Sequence, residues 1–344
     1  MERIKNAFLS FTNPMPRGPN NEPKPDFAWF EIFLRCDYEE LKNMSEVCRQ
    51  FYHILDAEFW RSRCLMDGID LPPQHVIEFA QKNDKYVDYL YLYHYAHKNN
   101  VNPYGENLLR DAPVNKTTAA NFAGASDWMV YESRGCHYEE PPEGYNATPE
   151  MPESCLATSF RWGHRQLMVD LTRCGVEPWI LDYLRPKIVV EELHAPRHDC
   201  GAIYKLKIAM RKEDEGMPRV EGDLAPSEKR GTVLTKQYEQ WANQPWTTET
   251  LVFEKYPAGM RKATVVSCAK DTQFWAGNFG MKFTGTKLRL AFPDELHWYA
   301  LDEIVDEPAD EQPRNVRGPF RSLRIPLPTA APLPRGSSPK RVNL

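Results

Sequence analysis

The spacing of apolar residues changes character along the chain. In "CDYEELKNMSEVCRQFYHILDAEFWRSRCL", Leu41, Met44, Val47, Cys48, Phe51 and Leu55 recur every three or four positions. That period predicts an amphipathic helical segment with one apolar stripe. Asp37, followed three residues later by Glu40, has the form of a capping box and marks its start. A second short helix is expected over "AEFWRSRCL". Residues 75–98 keep the helical spacing, first through Val76, Phe79 and Ala80 and then through Tyr86, Leu90 and Tyr93.

From about 107 to 296 the period drops to two. "AIYKLKIAM" sets Tyr204, Leu206, Ile208 and Met210 on one face and Lys205 and Lys207 on the other, and "KIVVEEL", "TLVFEKY", "KATVVS" and "KLRLAF" alternate in the same way. One helical insert, "EPWILDYLRP", has Pro178 near its first turn and must stop before Pro186. Many short strands separated by turns, with few helices, predict an antiparallel β-sandwich rather than a parallel sheet. The expected architecture is α+β and multi-domain. A flexible arm spans 1–22, a small all-α module 23–70, a helical linker 71–106 and a sandwich with short helices 107–296. An acidic, then proline-rich and disordered tail spans 297–344.

Composition narrows the function. With 344 residues, 42% hydrophobic, and a net charge of −5, the chain can bury a sizeable core but offers little to a nucleic-acid backbone. No stretch approaches the roughly 20 apolar residues of a membrane span. The N-terminus lacks the apolar run of a secretion signal, so a cytoplasmic or nuclear location is expected. The sequons at Asn43, Asn115 and Asn146 are then expected to stay unmodified. Eight cysteines without a C-x-x-C pair read as thiols, mostly small buried side chains. His194, His198 and Cys200 lie close together, but no second ligand cluster accompanies them, and neither a metal nor a cofactor is expected.

No G-x-S-x-G, P-loop or H-E-x-x-H motif occurs. A glycosidase would need two carboxylates facing each other across a sugar; the candidates here are Asp199 and Asp271, with nothing marking either as a raised acid. Cys136 and His137 are neighbours in sequence, which is no evidence of a catalytic pair. The chain reads as non-catalytic.

The turn of one predicted hairpin is unusual. In "CAKDTQFWAGNFGMKF", residues 268–283, Phe274 and Trp275 stand where small polar residues are usual. Two readings of Trp275 remain open on the residues alone: it faces outward as a contact surface, or it folds inward to cap the core, as Trp162 and Trp179 are expected to do. Likewise Asp199 either serves a ligand or fixes its own turn.

Two stretches carry a family resemblance. "PDFAWFEIF", then "VCRQFYHI", then "FW" resembles an F-box, through Pro25, Phe27, Phe30, Ile32, Phe33, Leu41, Val47, Cys48, Arg49, Phe51 and Trp60. The usual "LP" is "KP" here, and aromatics replace the paired leucines of the first helix. F-box proteins dock on the Skp adaptor and bring substrates to a cullin-RING ubiquitin ligase. The resemblance therefore implies an adaptor interface at Pro25, Phe27, Phe30, Phe33, Leu34, Leu41, Val47, Cys48, Phe51 and Trp60. Further on, "ENLLRDA", "CLATSFRWGHRQLMVDL", "PWILDYLRPKIVVEELHAPRHDCGAIYKLKI" and "KDTQFWAGNFGMKF" follow one another as in the F-box-associated domain, over about 190 residues. That domain, a β-sandwich of jelly-roll or galactose-binding-like type with two short helices, occurs in the F-box proteins that recognise high-mannose N-glycans.

In the sugar-recognising members, loops at one end of the sandwich hold the inner chitobiose of the glycan. Carried over, Trp275 would stack on the apolar face of a pyranose with Phe274 beside it. Phe160 would shape the pocket, and Asp199 would accept from sugar hydroxyls or the acetamide N–H. Phe274 replaces a common tyrosine, Ala276 a lysine of one glycan binder, and Asn278 a tryptophan. One lost neutral hydrogen bond costs roughly 0.5–1.5 kcal/mol.

The implied role is the substrate-recognition subunit of an SCF ubiquitin ligase, binding high-mannose N-glycans of misfolded glycoproteins for ER-associated degradation. It would work in the cytoplasm, near the ER surface where such clients emerge. Two alternatives stand beside it: the same ligase role toward a protein surface, and a cytosolic lectin or chaperone-like binder that does not use the ligase.

Overall fold

The computed structural model describes residues 25–109, 129–130, 136–144, 151–218, 230–241 and 244–302, with side chains from residue 27 onward except at 129–130. The expected arm, most of the expected tail, and the sequons at Asn115 and Asn146 lie outside them. Among the described residues no helix is long and apolar enough to cross a membrane.

The helical part comprises α1 (Pro25–Phe33), α2 (Tyr38–Val47), α3 (Arg49–Ile54), α4 (Ala57–Met66), α5 (Gln74–Lys82) and α6 (Tyr89–Asn99). Asp37 accepts from Glu40 N at 2.8 Å, and Asp37 N donates back to the Glu40 carboxylate at 3.1 Å, which completes the capping box. The continuous stripe expected from Leu41 to Leu55 is broken. Cys48 is extended (φ −158°, ψ 161°), so α2 ends and α3 begins there. Leu41 is buried, whereas Val47 and Cys48 face solvent. The second expected stripe also divides: Tyr93 is buried, but Tyr86 and Leu90 are exposed.

The module is held by an aromatic core, with Phe33 edge-on to Phe51 at 5.0 Å and Phe30 edge-on to Phe59 at 5.4 Å. At its centre buried Arg63 donates to Cys36 O (2.9 Å), Asp67 (3.0 Å), Tyr93 Oη (3.1 Å) and Leu34 O.

The rest is an antiparallel β-sandwich. Its strands are β1 (Met129–Val130), β2 (Cys136–Glu139), β3 (Cys155–Thr158), β4 (Gly163–Asp170), β5 (Lys187–Pro196), β6 (Ala202–Lys212), β7 (Gly231–Tyr238), β8 (Thr247–Phe253), β9 (Met260–Asp271) and β10 (Met281–Ala291). One sheet runs β1-β4-β9-β6-β7 and the other β2-β3-β10-β5-β8. The expected alternation holds on β6: Tyr204, Leu206, Ile208 and Met210 join Ile188, Val190, Val265 and Phe283 in the core between the sheets. The "EPWILDYLRP" insert forms a π-helical turn over Ile180–Leu184, ending before Pro186. A bulge on β10 between Thr284 and Lys287 contains Gly285 at φ +63°, a conformation that costs glycine nothing.

A charged network crosses the core. Glu192 on β5 accepts from Arg165 (2.9 Å), Ser267 (2.8 Å), Thr286 (2.6 Å) and Tyr204 (2.7 Å), and both Arg165 and Glu192 are sealed from water. Its members come from both sheets, so it ties them together.

Helix α6 joins the two parts. Leu92, Tyr93 and Ala96 belong to the helical core, while Tyr91 Oη donates to Thr172 O at 2.8 Å and Asp88 N donates to Glu177 at 3.0 Å on the sandwich. Val76 and Val101, from the segment read as a linker, pack into the sandwich core itself. The eight cysteines are all free thiols, seven buried and Cys48 exposed.

Candidate functional site

The loops β3–β4, β5–β6, β7–β8 and β9–β10 each cross from one sheet to the other at the same end of the sandwich, away from the helices docked at Thr172 and Glu177. The crown sits on the β9–β10 hairpin. Asp271, buried at its base, accepts from Phe274 N at 2.7 Å and so helps hold Phe274 in the left-handed region, φ +59°. Burial pushes the Asp271 carboxyl above its usual range, against the opposing pull of the Phe274 and Gln273 amides. Gly277 is at φ +135°, where a Cβ would run into the Phe279 ring.

The result is that both aromatics face outward. Phe274 is 72% exposed and Trp275 39% exposed, and the indole leans edge-on against Phe279 at 5.9 Å and 85°. The inward reading of Trp275 is excluded by this exposure. Trp162 and Trp179, expected in the core, are only half-buried. Trp162 lies on the outer face of its sheet, with the ammonium groups of Lys205 and Lys270 5.5 and 5.0 Å from its ring, and Trp179 Nε1 donates to Glu177 at 2.8 Å.

Phe279 connects the crown to Asp199. The Arg197 guanidinium stacks over the Phe279 ring at 4.6 Å and donates through Nε to Asp199 Oδ1 at 2.7 Å. Burial pulls the Asp199 carboxyl upward, but the hydrogen bond and charge of Arg197 outweigh it and hold the group below its ordinary value. Asp199 is thus a carboxylate presented at the rim with Arg197 on Oδ1, suited to accept from hydroxyls or an amide N–H.

The β5–β6 loop is fastened on both sides. Gln273 Oε1 accepts from Gly201 N at 2.8 Å and Thr272 N donates to Gly201 O at 2.9 Å; on the far side Gln240 Nε2 donates to Asp199 O at 3.0 Å. Phe160, half-buried on the β3–β4 loop, has the Arg161 guanidinium 5.3 Å from its ring, and its neighbour Ser159 accepts from Asp271 N at 2.9 Å. Phe160 therefore flanks the hairpin base, and Ala276 is an exposed position on the crown.

His194, His198 and Cys200 do not converge. His194 is buried edge-on to Tyr204 at 4.4 Å, His198 bonds Gly144 O at 2.9 Å, and Cys200 reaches Gln273. Among the described residues no group of three or more potential metal ligands forms.

These features now meet the comparison with known proteins. A family model described as "FBA: F-box associated region" matches residues 99–290. The chain belongs to the F-box-associated family. The human F-box only protein 6 is 26% identical over 305 residues, covering 87% of this chain and 93% of that protein. An alignment so long must extend well into the helices before residue 99. The bovine F-box only protein 2 is 25% identical over 70% of this chain and 74% of its own, and the human F-box only protein 27 is 29% identical over 42% and 48%. Among solved structures, TmCBM61 in complex with β-1,4-galactotriose aligns at 12% identity over 48% of this chain and 88% of that one, with a TM-score of 0.27, too low to carry an argument.

Within this F-box-associated chain the residues expected at an adaptor interface separate into two groups. Phe33, Leu41 and Trp60 are 0%, 0% and 5% exposed and form the module's own core, which corrects their assignment as contact residues. Val47 and Cys48 are exposed, and Phe27, Phe30, Leu34 and Phe51 are half-buried. Pro25 opens α1, and its side chain lies outside the description. Phe27 and Phe30 also line a groove of about 720 Å³ with Arg49, Gln50, His53 and Ile54.

Residues the sequence reading passed over are Arg197, Phe279 and Gln273. Arg197 stands within the same "HAPRHDC" stretch searched for metal ligands, and its charge beside Asp199 was the available signal.

Proposed function

We propose that this chain is the substrate-recognition subunit of an SCF ubiquitin ligase, and that its rim binds the chitobiose core of high-mannose N-glycans. Its helices dock the Skp adaptor of a cullin-RING assembly, and its clients are misfolded glycoproteins reaching the cytoplasm for ER-associated degradation. Ubiquitin transfer belongs to the partner subunits. The observation that carries the reading is the indole of Trp275, held in solvent and linked through Phe279 and Arg197 to the carboxylate of Asp199. A pyranose has an apolar face edged with hydroxyls, and an outward flat ring next to charged acceptors and donors is complementary to both features. The alignment with F-box only protein 6 supports the ligase half, because it is long enough to join helices and sandwich in one chain.

The test is retention on an immobilised high-mannose glycoprotein with free chitobiose as competitor. Chitobiose should release the protein, and Trp275→Ala should abolish retention while leaving the unfolding midpoint in place. Retention indifferent to both would remove the glycan half.

The same ligase role toward a protein surface is the second reading. It is favoured by Phe274, which is 72% exposed and lacks the hydroxyl a sugar site would use. The third, a lectin or chaperone-like binder acting without the ligase, is separated by adaptor capture. Full-length protein should co-purify with the Skp adaptor, and Val47→Glu at the exposed end of α2 should weaken that capture. Capture that never occurs would leave the third reading standing.

A further inference from the structure

A second aromatic group stands on the same rim. Trp241, on the β7–β8 loop, is 68% exposed and adopts φ +64°, a left-handed conformation that is rare for a bulky side chain. It holds no part of the core. Its ring meets His198 edge-on at 6.4 Å. The loop carrying it is anchored through Gln240 to the backbone of Asp199. Gly201 has room for nothing larger, since a Cβ there would crowd Tyr238 O at 2.8 Å and Thr272 Oγ1 at 2.6 Å. The bases of the three loops are therefore packed against and hydrogen-bonded to one another beneath the aromatics.

We propose that Trp241 and His198 form a second saccharide subsite, which takes a pyranose further along the same oligosaccharide that Trp275 engages; the inference rests on the glycan reading above. Three observations define it. First, the three loops adjoin strands β9, β6 and β7 at one end of the sheet, two leaving β9 and β7 and one entering β6, and these strands are neighbours in that order. Two strand spacings place the bases of the two tryptophan loops about 10 Å apart. One sugar ring does not bridge that span, and a short oligosaccharide does.

Second, the interval is polar and already ordered, occupied by Arg197, Asp199 and His198. Third, the imidazole is oriented. The partner of His198 Nδ1 is the Gly144 carbonyl at 2.9 Å, which can only accept, so Nδ1 carries the proton. In the neutral ring Nε2 is then an acceptor for a sugar hydroxyl or acetamide N–H, on a ring whose centroid lies 6.4 Å from that of the indole. An apolar plane with an adjacent directed acceptor repeats, in other residues, the pairing of Trp275 with Asp199.

The experiment uses the full chain, ¹⁵N-labelled at the indole nitrogens, titrated with chitobiose and separately with a free N-glycan core pentasaccharide. Trp241→Phe assigns the Trp241 signal. The expected result is that chitobiose moves the Trp275 signal alone and the pentasaccharide moves both. Trp241→Ala should weaken the pentasaccharide about tenfold, as loss of one stacked ring does, and chitobiose less than twofold. Trp275→Ala should weaken both. If Trp241→Ala leaves the pentasaccharide unchanged, or weakens the two sugars equally, the second subsite is overturned while the Trp275 site stands. Dependence on Trp241 seen with a chitobiosyl glycopeptide but not with the free pentasaccharide would assign Trp241 to peptide and overturn the saccharide assignment. If neither sugar binds the unaltered chain, the glycan reading itself has failed and this inference with it.

Discussion

The two ends of the sandwich use the same residue types in opposite ways. At the helical end Trp298 stacks on Tyr183 at 4.8 Å and 11°, lies 6.3 Å from Phe79 and is partly withdrawn from water. The neighbouring Glu177 is engaged by Asp88 N and Trp179. At the rim Phe274, Trp275 and Trp241 stand in solvent, and two of the three occupy left-handed backbone. Aromatic content alone does not distinguish a covered end from an open one. What separates them is whether another element of the chain arrives to cover the rings: α5 does so at one end through Phe79, and among the described residues no helix does so at the other.

The comparison can be broken most severely between the ends. Glu192→Gln removes the anion from the network that joins the two sheets and leaves Arg165 without its carboxylate, which should cost about 3–5 kcal/mol. Urea unfolding should show the midpoint falling sharply, with both ends lost together. Next in size, Trp298→Ala strips a packed ring from the docked end. It should cost about 2 kcal/mol while leaving sugar retention of the folded protein intact. Trp275→Ala is the mirror case: stability within about 0.5 kcal/mol of the original, with binding lost.

Smaller effects sharpen the contrast. Gly277→Ala meets both a left-handed φ and the Phe279 ring. A cost of about 1 kcal/mol or more is expected, accompanied by weakened binding as the crown shifts; a variant equally stable and equally active would mean that Phe279 does not position Trp275. The smallest is a pH effect. Burial lowers the His194 pKa, partly countered by its backbone hydrogen bond and Glu192. The folded state then binds fewer protons than the unfolded one below the ordinary histidine value near 6.5. This contribution is complete above that pH and declines as pH falls toward the lowered folded value. Melting curves between pH 7.5 and 5.5 should show the decline, and His194→Gln should flatten part of it.

Much of the fold was legible in the sequence because its signals are local. The capping box needs Asp37 and Glu40 three residues apart, the alternation along β6 lies within one strand, and Pro186 ends the π-helical turn by its own chemistry. The candidate site was legible only as a set of residues on neighbouring loops. Trp275, Phe274, Phe160 and Asp199 all fall on the rim loops, yet Arg197, Phe279, Gln273 and Trp241 went unnoticed. Each of these matters through a partner on another loop or a backbone conformation that no periodicity reports. The surface proposed for the adaptor was blurred for the same reason: Phe33, Leu41 and Trp60 share the apolar pattern of their exposed neighbours, and burial alone tells them apart.

The sequence by itself therefore determined which stretches run helical and which extended, which residues alternate toward a common face, and that a pair of aromatics crowns one hairpin. Only the tertiary structure decided that Trp275 and Trp241 face water while Trp298 is stacked, that Cys48 divides a stripe, and that Arg165 meets Glu192 between the sheets. Periodicity is set by backbone geometry over a few residues. Solvation and charge pairing are set by whichever distant segments the completed fold brings into contact.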